Sequence, residues 1–143
     1  MSLELEALET SFDLVAPHGD QLLDEYYDRF FAAAPETRPL FPEDMKKQKA
    51  KVLAMLGLLR KSLRNLDAAV PTLRALGARH ATYGATADHF PISGSSLIGA
   101  MAAVAGDGWK PEYEQAWTAA FEVVAATMLE GAAAAEAELE AAA

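Results

Sequence analysis

Three polar side chains interrupt apolar helix faces in this chain, and each is of a type that can act on a bound group. His80 shares a face with Leu73, Leu76 and Tyr83, at i, i+3, i+7 and i+10 counted from Leu73. A neutral imidazole on a greasy face, with a lone pair to give, is the donor that haem iron takes as an axial ligand. The plainer reading of such a histidine is a core residue bonded to a neighbouring carbonyl. Gln48 shares a face with Val52, Met55 and Leu59, and Tyr27 lies in line with Leu23 and Phe31. A phenol offers one proton and a carboxamide two. Aimed at a ligand that takes up negative charge, one such donor is worth about 1.5–3 kcal/mol, roughly ten- to a hundredfold in retention. A flat hydrophobic cofactor would fit between the Gln48 and His80 faces. Phe41, at the end of a tight proline-bounded turn, would wedge at its edge. Any one of these groups alone is more often ordinary packing.

Helices must carry all three. The 3, 4, 3 spacing of Leu5, Leu8, Phe12 and Val15 predicts an amphipathic helix. A turn over Pro17, His18, Gly19 and Asp20 follows, with His18 at the surface. A second helix is expected from about Gln21 to Ala34, and Pro35 then opens a brief turn that ends on Phe41. A long helix should run from about Asp44 to Leu63, broken by Asn65 and Asp67. Pro71 is acceptable in the first turn of the His80 helix. Gly84 is a natural stop for that helix, and Pro91 bars its simple continuation beyond Phe90. Leu97, Met101 and Val104 mark a further helix closed by Gly106, Asp107 and Gly108. The last should begin near Pro111 and bury Trp117, Phe121, Val124 and Met128. Beyond Ala132 the chain is alanine- and glutamate-rich, a tail with strong helix propensity, little to bury and an expected tendency to fray. No stretch has the alternating, β-branched pattern of a strand. The expected class is therefore all-α, one domain over residues 1–143, with six or seven helices.

Composition bounds the partners. The 143 residues are 52% apolar and 23% charged, enough for one core under a soluble surface. A formal net charge of −9 argues against nucleic acid or an anionic membrane as principal partner. No run approaches the roughly 18 apolar residues of a membrane span, and the acidic start lacks the pattern of a secretory signal. The absence of cysteine excludes disulfides and covalent haem attachment, and is compatible with the cytoplasm, the expected location. One local exception to the acidity is Lys46, Lys47, Lys49 and Lys51, followed by Arg60, Lys61 and Arg64. It reads either as a solvated helix face or as a docking patch for an acidic electron donor.

The segment Tyr-x3-Phe-x3-Pro-Glu-x-Arg-Pro-Leu-Phe, from Tyr27 to Phe41, resembles the haem-pocket region of bacterial single-domain haemoglobins and of flavohaemoglobin globin domains. Arg79-His80, the stretch Asp88-His89-Phe90-Pro91-Ile92-Ser93-Gly94, and Ala116-Trp117 with Phe121 match the same family. The resemblance covers almost the whole chain. It implies the globin fold, a 3-on-3 helical sandwich with helices packed at about 50° around a haem b pocket. By position, His80 resembles the proximal iron ligand and Phe41 the aromatic packed on the porphyrin. Tyr27 and Gln48 resemble the distal tyrosine and glutamine, and Val52 the apolar residue above the iron. Met55, Leu76, Phe90 and Ile92 fall among the expected cofactor contacts. Lys51 and Arg79 are placed to meet haem propionates, with solvated surface as the alternative.

In one place the chain departs from the family. Flavohaemoglobin-type globins carry a tyrosine and a glutamate behind the proximal histidine. Here the tyrosine position is Phe90, and the glutamate position aligns near Ala132, between Glu130 and Glu136. Without that dyad, the outer nitrogen of His80 is expected to donate to a carbonyl one turn back, near Leu76. That weakens the electron push on the iron, so ligand binding is favoured over peroxidase-like chemistry. His89 is read as a corner residue. The resemblance implies reversible binding of dioxygen, nitric oxide and carbon monoxide, with tight, slowly released oxygen. Nitric oxide dioxygenase activity would draw on a separate reductase. A gas or redox sensor acting through a partner protein is the alternative, and a haem-free helical module a third. A monomer or weak dimer is expected.

Overall fold

The computed structural model describes residues 4–82 and 87–142. Among them six α-helices follow one another: α1 (Leu5–Val15), α2 (Gly19–Ala33), α3 (Lys46–Ser62), α4 (Val70–Thr82), α5 (His89–Ala105) and α6 (Pro111–Ala142). Short 3-10 turns at Ala16–His18, Pro35–Leu40, Leu66–Ala69 and Gly106–Gly108 bridge them. Strands are absent from the described residues.

Apolar periodicity explains the packing. α1 buries Leu8, Phe12 and Val15, and α2 buries Leu22, Leu23, Tyr26, Tyr27 and Phe30. These close on α5 and on Trp117 of α6, which is wholly enclosed. The Trp117 indole N–H donates to Ser11 Oγ at 2.7 Å, and the Ser11 hydroxyl donates to the Ala7 carbonyl at 2.6 Å. A large amphipathic side chain is thereby buried with its polar atom satisfied; truncating such a residue to alanine typically costs about 3–5 kcal/mol.

Two helix pairs dominate, α2 on α5 and α4 on α6. The second approach is close. A β-carbon on Gly77 would collide with the Met128 carbonyl, and one on Gly131 with the Arg74 carbonyl. Only glycine lets the two backbones come this near. Leu73 and Met128 close a small second core there, flanked by Leu76, Phe90 and Val124. α3 rests more lightly on α2 and α1, and shares no extensive contact with α4, to which the turn Leu66–Ala69 ties it.

Three details refine the expectations. Pro91 does not end a helix; it sits in the first turn of α5, where its missing N–H breaks no intrahelical bond. Gly84 and Tyr83 lie outside the described residues. α6 remains helical through Ala142, in keeping with the strong helix propensity of its alanine- and glutamate-rich tail. Within α6, Pro111–Ala135 is long and apolar enough to cross a bilayer by length and composition, with a mean hydropathy of 1.2. Trp117 and Met128 of that stretch are nonetheless packed into the two cores.

Candidate functional site

His80 lies in the last turn of α4, half-buried. Its Nδ1 is 2.8 Å from the Leu76 carbonyl, the bond expected from the sequence. A carbonyl can only accept, so Nδ1 carries the proton and the lone pair of the neutral ring falls on Nε2. The Phe90 ring, at the position of the family's tyrosine, lies with its centroid 6.3 Å from that of the imidazole. Glu130 does not stand behind His80. It pairs with Arg74 at 3.2 Å, both side chains more than half exposed. The Glu136 side chain is outside the described residues.

Tyr27 of α2 and Gln48 of α3 meet on a second wall. Tyr27 is 4% exposed. The Gln48 amide donates to its hydroxyl oxygen at 3.3 Å. Burial pushes the phenol well above its ordinary pKa, neighbouring Tyr26 pushes the same way, and the Gln48 bond offsets part. The hydroxyl therefore keeps its proton across the physiological range. With its oxygen engaged as acceptor, that proton is available to a second group. Tyr26 shares a 2.6 Å hydrogen bond with Ser93 of α5, which anchors the ring pair at a centroid separation of 4.7 Å.

Phe41 closes this wall. Its ring stands edge-on to Tyr27 at 5.7 Å, to Phe30 at 6.4 Å and to Phe31 at 5.3 Å. Phe41, Val52, Met55, Leu76, Phe90 and Ile92 are all only half-buried, unlike the enclosed aliphatics of the main core. Met55 borders an apolar depression between α3 and α4 with Thr72 and Leu73. Apolar side chains left half-covered beside an oriented imidazole and an oriented phenol form a donor set suited to a flat, apolar, metal-bearing group.

The basic run is partly spent within the chain. Lys49 pairs with Asp24 at 2.7 Å, Arg60 with Asp13 at 3.1 Å and Glu9 at 3.3 Å, and Arg64 with Glu9 at 2.6 Å. The Arg64 guanidinium holds the Glu9 carboxyl below its usual range. Lys51 and Arg79 are exposed, and His18 lies at the surface. His89 reaches Glu36 at 3.6 Å, linking α5 to the turn Pro35–Leu40. Arg38 and Ser93, which helical spacing does not single out, touch this wall through irregular or distant segments: Arg38 through the Pro42 carbonyl and Ser93 through Tyr26.

A sequence model of the globin family matches residues 24–128. A flavohemoprotein of Bacillus subtilis is 28% identical over 124 residues, covering 85% of this chain and 31% of that protein. One of Deinococcus radiodurans is 30% identical over 115 residues, covering 78% of this chain and 28% of that protein. The chain thus spans about a third of the length of these relatives. Among solved structures, an engineered carbene transferase made from a Rhodothermus marinus protein named for nitric oxide dioxygenase activity superposes with TM-score 0.85 and 26% identity, over 95% of both chains. A bacterial globin from Campylobacter jejuni shares the fold with TM-score 0.78 and 19% identity, over 90% of this chain and 93% of that one. The chain belongs to the globin family, with bacterial globins and flavohaemoglobin globin domains as its structural neighbours.

Proposed function

We propose that this chain holds haem between α3 and α4 with His80 as the protein's iron ligand, and reversibly binds dioxygen and other diatomic gases. Haem supplies, when bound, an iron centre that takes a diatomic molecule and exchanges single electrons. The bond from His80 Nδ1 to the Leu76 carbonyl carries the reading, because it directs the ring's lone pair through Nε2 and fixes the ring's orientation. A neutral carbonyl partner leaves the imidazole less electron-rich than a carboxylate would, which favours holding a ligand over cleaving it.

The chain's own groups then divide the work. Tyr27 donates its hydroxyl proton to the bound gas, and Gln48 keeps the Tyr27 oxygen occupied so that the proton points away from it. Phe41 and Val52 keep water from that proton, which raises its value to the ligand. Nitric oxide dioxygenase chemistry is the finer proposal: dioxygen, nitric oxide and one electron together give nitrate. The electron comes from a reductase, as suggested by the flavohemoprotein relatives.

Purified protein reconstituted with hemin tests the reading through its ferric, ferrous and carbon monoxide spectra. The wild type is expected to show the absorption of a histidine-ligated haem. His80→Gly is expected to lose it and to regain it on addition of free imidazole. A folded wild-type chain that takes up no hemin overturns the proposal.

A further inference from the structure

Arg38 lies in the 3-10 turn Pro35–Leu40. Its guanidinium donates to three successive carbonyls: Phe41 at 3.4 Å, Pro42 at 3.0 Å and Glu43 at 3.1 Å. The same guanidinium lies over the Phe31 ring, 5.2 Å from its centroid. These carbonyls belong to the link between the turn and α3, a link with Pro42 at its centre and no regular structure over most of its length. Loop carbonyls need partners, and one planar cation with several fixed donors gathers three of them at once.

Two routes run from this clamp to Tyr27. One passes through the Phe41 backbone to the Phe41 ring, edge-on to Tyr27. The other passes through Phe31, which stacks on Tyr27 at 5.5 Å and lies under the guanidinium. A third connection reaches Gln48. Glu43, the last carbonyl held, is three residues before α3 begins at Lys46, and Gln48 lies in the first turn of that helix. The residues holding the two distal donors thus meet at a single guanidinium.

We infer that Arg38 is a positioning residue: by clamping the carbonyls of residues 41–43 and stacking on Phe31, it sets the alignment of the Tyr27 hydroxyl and the Gln48 amide toward a bound gas. The inference rests on the haem reading above. It also implies that Lys cannot replace Arg38, since an ammonium presents no planar fork and stacks less well.

The test is a double-mutant cycle on the haem-loaded chain. Arg38→Met, which keeps the stem and removes the charge and donors, is expected to speed oxygen dissociation about three- to tenfold and to shift the stretching frequency of bound carbon monoxide. Arg38→Lys should fall between the two, and it serves if Arg38→Met fails to fold. In a Tyr27→Phe background the same Arg38 change should alter dissociation less than about twofold. In the haem-free chain, hydrogen exchange of the amides of residues 41–49 should quicken in Arg38→Met while α6 amides do not. A lowered Tm with wild-type dissociation and carbon monoxide stretch overturns the inference, as does an equal effect with and without the Tyr27 hydroxyl. A wild type that takes up no hemin fails the haem reading and takes this inference with it; unchanged rates in a loaded variant fail this inference alone.

Discussion

The α3 wall and the α4 wall hold their polar groups by different means. On the α3 side side chains position side chains: Gln48 on Tyr27, Phe41 edge-on to three aromatic rings, Arg38 on the loop between. On the α4 side backbone positions backbone: Gly77 and Gly131 bring α4 against α6, and the His80 ring is bonded to a main-chain carbonyl. A wall built of side chains can change its polarity residue by residue while the helices stay in place. A wall built of touching backbones cannot, since any added methyl moves a helix. Gas retention should therefore respond to changes on the first wall, and stability to changes on the second.

Tyr27→Phe should break the comparison hardest if it is wrong. Phenylalanine keeps the ring and its packing but removes the proton, so oxygen should leave about ten- to a hundredfold faster, the loss of a bond to a charged ligand worth about 1.5–3 kcal/mol. Tm should move little. An unchanged dissociation rate measured by stopped flow would remove Tyr27 from the mechanism.

Gly131→Ala probes the other wall. Its methyl would meet the Arg74 carbonyl, which no rotamer can move aside. Overpacking of this kind costs about 1–3 kcal/mol, a fall of several degrees in Tm. A thermal melt matching the wild type would mean that the helices separate at no cost. The smallest effect has the opposite sign. Gly57, within α3, has open space where its β-carbon would be. Gly57→Ala should raise stability by about 0.5–1 kcal/mol in denaturant unfolding, through helix propensity alone. Destabilisation there would show that α3 too is held by close backbone approach.

Much of the fold could be read from periodicity. The faces of α1 and α2, the proline-bounded turn before Phe41 and the start of α4 around Pro71 follow from apolar spacing and proline geometry. Pro91 shows where that reading stops. Proline marks a helix boundary equally well as the end of one helix or the first turn of the next, and only the partners of α5 choose between them. At the site, His80, Tyr27, Gln48 and Phe41 stood out as polar or aromatic residues on apolar faces. Arg38 did not, because an exposed-looking arginine in a loop owes its contacts to carbonyls whose positions depend on the fold.

The amino-acid sequence by itself determined the helical class, the apolar faces and the identity of the imidazole, phenol and carboxamide that those faces carry. These are local properties, set by residue type and a 3.6-residue period. The tertiary structure alone decided that the Gln48 amide meets the Tyr27 hydroxyl and how near α4 comes to α6. Each of these depends on a contact between segments far apart in the chain or on loop geometry, and spacing along one helix contains no record of it.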